Sequence, residues 1–184
     1  MRWQALFDDL EAQLAAAEAA ELQAEVADRT RREAGLVRMV DRLDAATGQE
    51  VSVALGPAGM LRGRLLDAGT DWLLVEETGA REVLVPLGAV LGITGLVAQS
   101  GVPGAEGEVG RRLDLRWALR ALARSRAGVA LVLRDGSGIS GTLDRVGTDH
   151  VDVAEHAPGE SRRASAVRQV RLIPLAALVL VRSS

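Results

Sequence analysis

The chain has 184 residues, of which 48% are hydrophobic and 26% charged, with a net charge of −3; that is enough apolar material to bury a core. It has no cysteine, which excludes disulfides, thiol catalysis and cysteine-ligated zinc or iron–sulfur centres. No apolar run approaches the roughly 20 residues of a membrane span, and acids stand where a secretory signal would be apolar, so the expected location is the cytoplasm.

Charge is unevenly placed. Residues 1–28 sum to −6, residues 29–50 to +1, residues 51–100 to −2 and residues 101–184 to +4, an acidic head and a basic second half. Lys, Asn and Tyr are absent, the mark of a high-GC genome, so an all-arginine positive complement does not by itself speak for phosphate binding.

In chain order, Trp3, Phe7, Leu10, Leu14 and Ala17 recur at alternating spacings of four and three, an apolar helical stripe too short for a coiled coil; a helix packed on the next domain is expected. A second helix is expected over about 30–46, with Leu36, Val37, Val40 and Leu43 on one face and Gly48 after its end. Period-two alternation then takes over at Val51, Val53 and Leu55, and at Leu73 and Val75, with glycine turns between, which predicts short antiparallel strands. SGVPGAEGEVG reads as a linker. After it comes an amphipathic helix with Leu115, Ala118, Leu119 and Leu122 on one face and Arg112, Arg116, Arg120 and Arg124 on another.

The strand pattern then repeats. Gly63 falls on Gly141, Leu65 on Leu143, and Gly69-Thr70-Asp71 on Gly147-Thr148-Asp149, at a constant offset of 78. Pro86-Leu87 falls on Pro174-Leu175 at an offset of 88, so the second copy carries ten more residues, within HAPGESRRASAVR. DGSGISG in this copy has G-x-G-x-x-G spacing, but the following TLDRVGTDHVDV is β-branched and glycine-interrupted, not helical. A hairpin turning at Asp135-Gly136 is predicted instead of a nucleotide loop. Gly63 and Gly141 are assigned to a sharp bend in the second strand of each copy.

A helix leading into five short strands, with V-x-V-x-L, a glycine turn, h-x-G-x-L and a closing P-L-x-A-V-x-x-I-x-G, resembles the Sm/LSm superfamily, across about 110 residues in two divergent copies. Other small SH3-like barrels, such as the PRC barrel, give similar strings. The resemblance implies an α+β chain: N-terminal helices plus two tandem Sm-like or SH3-like five-stranded small antiparallel barrels, each preceded by an α-helix. The divisions are 1–48 (acidic head and leading helix), 49–98 (first barrel), 99–110 (linker), 111–127 (Arg-rich helix) and 128–184 (second barrel, with a 156–169 hairpin insertion). It also implies outer strand edges that pair with neighbours. The superfamily's RNA pocket is not matched: its Asp/Asn loop reads Gly69-Thr70-Asp71 and Gly147-Thr148-Asp149, and its Arg-Gly reads Thr94-Gly95 and Val181-Arg182.

The strongest candidate binding residues are Arg112, Arg116, Arg120 and Arg124 with Arg162, Arg163, Arg168 and Arg171, for nucleic acid or an acidic partner. Trp117 is assigned to the rim of the core. His150, Asp152 and His156 alternate along one strand and read as surface residues, not as metal ligands. No triad, carboxylate pair or P-loop is spaced for catalysis, so no enzyme, cofactor or metal is expected. The leading expectation is a regulatory protein working through protein contacts or homo-oligomers. The alternative is an RNA- or DNA-binding regulator using helix 111–127 and loop 156–171.

Overall fold

The computed structural model describes residues 2–96, 113–159 and 167–183. The expected linker at 99–110 lies outside them, as does 160–166 of the insertion. The chain divides into two compact units, Met1–Val37 and Arg38–Ser184.

The first unit is one helix, α1 (Arg2–Leu36). Its described apolar residues Phe7, Leu14, Leu22 and Val26 are exposed. Arg29–Glu33 and Arg31–Asp28 pairs, at 2.9 and 3.6 Å, stitch its last turns. The helix expected over 30–46 is corrected: residues 30–36 continue α1, and a separate short helix, α2 (Met39–Ala45), follows. The break has a local cause. Arg38 is extended (φ −86°, ψ 161°), and the Asp41 carboxylate accepts both its backbone N–H and its guanidinium at 2.7 Å, a cap that starts a new helix.

The second unit is a single antiparallel sheet with two covering helices. The first repeat supplies β1 (Glu50–Ala54), β2 (Met60–Ala68), β3 (Trp72–Glu77), β4 (Arg81–Pro86) and β5 (Gly92–Thr94). Helix α3 (Leu115–Ser125) leads the second repeat, which supplies β6 (Gly128–Leu133), β7 (Gly138–Val146), β8 (His150–Glu155), β9 (Gln169–Pro174) and β10 (Leu178–Ser183). Strand order is β5-β1-β2-β3-β4-β10-β6-β7-β8-β9, and the sheet is not closed. Each repeat therefore runs fifth-first-second-third-fourth. No helix among the described residues is long and apolar enough to cross a membrane.

The repeats agree pair by pair. Val51 faces Gly63 as Val129 faces Gly141, and Val53 faces Ile93 as Leu131 faces Val181. A bulge sits between Leu65 and Asp67, and again between Leu143 and Arg145. A Cβ on Gly63 would collide with the Glu76 carbonyl oxygen, and one on Gly141 with that of Ala154; the next strand lies too close for any side chain. DGSGISG is a hairpin: Gly136 is left-handed, the Asp135 carboxylate accepts the Ser137 N–H at 2.9 Å, and Gly138 onward is strand β7.

The two repeats share their interior. One core takes Leu43, Val53, Leu65, Leu73 and Val85 from the first repeat and Val179 and Leu180 from β10. The other takes Leu115, Leu119, Leu131, Leu143 and Val153 from the second, with Trp72 and Leu84 from the first. Strand β10 lies between β4 and β6 with Leu178, Val179, Leu180 and Val181 all buried, so both its faces are covered.

Candidate functional site

Two surfaces stand out. The first is the joint between repeats and its open counterparts. At the joint, Leu84 faces Val181 and Val83 faces Arg182, and the Arg182 guanidinium donates two bonds to the Glu77 carboxylate at 3.0 and 3.1 Å. The loop Gly69-Thr70-Asp71 holds the start of the second repeat: the Leu113 carbonyl accepts from Trp72 Nε1 at 2.9 Å, and the Leu115 N–H donates to Asp71 Oδ1 at 2.6 Å.

Two of these features recur on the second repeat without a partner from another repeat among the described residues. Strand β9 is an edge strand, and Leu172, which matches Leu84, is 59% exposed where Leu84 is 4% exposed. Asp149, which matches Asp71, has a side chain 88% exposed and meets His150 Nδ1 at 2.9 Å. On the first repeat, β5 is the other edge, and Leu91 beside it is exposed. Edge strands with exposed apolar side chains template pairing with a further strand.

The second surface is an arginine-lined trough at the end of α3. Asp114 caps this helix, accepting the Trp117 N–H at 2.9 Å and Arg116 Nε at 2.7 Å. The helix expected over 111–127 therefore begins only at Leu115. Burial tends to raise the Asp114 carboxyl, but those two bonds and the nearby Arg120 charge hold it below its ordinary value. Leu115, Ala118 and Leu119 face the core, and on the opposite side Trp117, Arg120 and Arg124 follow at i, i+3 and i+7.

Arg120, Arg124, Arg126 and Arg145, with Asp144, line a concavity of about 500 Å³. It adjoins a second of about 400 Å³, where Arg126 and Arg145 meet Asp152 and Val170. None of the four arginines forms an ion pair with a carboxylate among the described residues. Arg126 is left-handed (φ 52°), a conformation that costs a non-glycine residue about 1–2 kcal/mol. At the matching place two residues before β1, the first repeat has Gly48, with φ 85°.

The expected arginine set is thus only partly assembled. Arg120 and Arg124 line the trough. Arg116 is turned to Asp114, and Arg171 pairs with Glu155. Arg168 is exposed outside the trough. Arg112, Arg162 and Arg163 lie outside the described residues. Arg126 and Arg145 were missed, because one is in a turn and the other on a strand, off the helical stripe, and no local spacing marks either.

Two further expectations change. Trp117 is 44% exposed rather than set into the rim of the core. His156 is buried, not a surface residue: Nε2 lies 2.8 Å from Thr142 Oγ1, and Nδ1 lies 3.0 Å from the Ala157 carbonyl oxygen. That carbonyl can only accept, so in the neutral ring Nδ1 carries the proton and Nε2 accepts from Thr142. No group of three or more His, Asp or Glu among the described residues could hold a metal ion. In comparisons with known proteins, no family model and no curated sequence matches the chain.

Proposed function

We propose that this chain is a non-enzymatic cytoplasmic binding and assembly protein. It would consist of an acidic helical head and two tandem small barrels of Sm-like or SH3-like kind, each led by a helix, that join protein partners by strand pairing. The carrying observation is the β4–β10 pair: the strands that match these two, β9 and β5, end the sheet, with no further strand beyond them among the described residues. Support for the barrel reading comes from the equal registers, the glycines pressed against the third strand of each repeat, and the 3-10 turns at Leu87–Ala89 and Leu175–Ala177 before the last strands.

The simplest partner is another copy. The operation that relates the repeats, applied once more, sets β9 of one chain against β5 of the next. Leu172 then takes the place of Leu84, and Gly147-Thr148-Asp149 receives an incoming helix start as Gly69-Thr70-Asp71 does within the chain. Such a head-to-tail contact closes a ring if its rotation closes and runs on if it does not.

Light scattering coupled to size exclusion tests this. The expected mass is a multiple of the 19.4 kDa chain, falling to a single chain in Leu172→Glu with its circular dichroism unchanged. A wild type that stays at one chain's mass at every concentration defeats the self-assembly reading.

A further inference from the structure

We propose that the trough at the end of α3 binds the phosphate backbone of single-stranded nucleic acid, with Trp117 as a stacking platform beside it. The trough is lined by α3, the turn after it and β7, and does not depend on the assembly reading; only the adjoining concavity reaches the edge strand β9, at Val170. Its charge is concentrated: Arg120, Arg124, Arg126 and Arg145 converge on one concave surface against the two carboxylates Asp144 and Asp152. Guanidinium groups that form no ion pair with a carboxylate among the described residues, set along a groove, suit phosphodiester oxygens along a strand. Trp117 stands on the same helix face as Arg120 and Arg124, and an exposed indole offers every base a π-face.

The first repeat shows that the fold needs neither Arg126 nor Arg145. Two residues before the first strand it has Gly48 where the second repeat has Arg126, and in its second strand Asp67 where the second repeat has Arg145. A left-handed backbone favours glycine, so Arg126 is held at a conformational cost that its side chain must justify elsewhere. An acidic protein segment could use the same charges. The groove geometry together with an exposed indole favours a strand carrying both phosphates and bases.

The test is anisotropy of a labelled oligouridylate of about a dozen nucleotides and of the matching oligodeoxyuridylate across a salt series, with polyglutamate as competitor. Binding is expected with a log–log salt slope of about 3, which is about 0.7 for each of four neutralised phosphates. Arg126→Gly is expected to lower the slope by about 0.7 while keeping or raising the melting temperature, so the lost affinity cannot be lost folding. Trp117→Ala should weaken binding with the slope unchanged. RNA and DNA bound alike support a backbone site, and preference for one supports it with sugar recognition added. No binding of either strand at low salt overturns the proposal. So does competition by polyglutamate as strong as by the unlabelled oligonucleotide, which would assign the trough to an acidic protein.

Discussion

Replacing Gly141 by alanine adds one methyl group to the second strand of the second repeat. That Cβ would overlap the Ala154 carbonyl oxygen and lie 3.0 Å from both the Ala154 carbonyl carbon and Val153 Cγ1. The obstacle is mainly backbone, so no rotamer change relieves it; β7 and β8 must separate. Overpacking of this kind costs about 1–3 kcal/mol, and loosening one ladder bond adds about 1 kcal/mol, giving about 3 kcal/mol in all. For a body of this size each kcal/mol lowers the melting temperature by about 2–4 °C, so thermal unfolding followed by circular dichroism should show a fall of about 6–12 °C. Gly138→Ala is the control: it lies on the same strand, with negative φ and no atom closer than 4.0 Å, and should keep or slightly raise the midpoint. A Gly141→Ala midpoint equal to that of Gly138→Ala would refute the close-approach argument.

Asp71→Ala removes the acceptor of the Leu115 N–H and should cost about 1 kcal/mol in denaturant unfolding, whereas Asp149→Ala in the isolated chain should stay within about 0.5 kcal/mol. An equal loss in both variants would mean that the loop itself, not its grip on α3, carries the effect. Asp114 has a lowered folded-state pKa, so its stabilising contribution is complete above its ordinary value of 3.8 and disappears as pH falls through the folded value. Wild type and Asp114→Asn should therefore differ in stability at pH 6 and converge in acid; a difference that persists through that acid range would rule out the carboxylate as the cap.

Much of the local architecture is legible in the residues themselves. The offset of 78 between the glycines and the Gly-Thr-Asp turns locates three strands of each repeat, because a turn needs its glycine and a half-buried strand needs its alternation. The buried side of α3 follows from Leu115, Ala118 and Leu119. The fate of residues 30–46 does not: the apolar spacing runs on, and only the competition of Asp41 for the Arg38 N–H ends one helix and starts another. His156 was equally hidden, since its place at a strand end is compatible with solvent until Thr142 from the neighbouring strand supplies a partner.

By itself the sequence determined two copies of one strand pattern, each behind a helix, and the glycines that let two strands approach. Those are consequences of short-range sterics and of periodicity. The continuous apolar run LVLV at 178–181, against VLGI at 90–93, already differed between copies, but tertiary structure alone turned that difference into a shared strand with both faces covered. The tertiary structure also decided which arginines meet. Arg120, Arg124, Arg126 and Arg145 come from a helix, a turn and a strand, and their convergence depends on how α3 packs over β7, a long-range relation that no local spacing encodes.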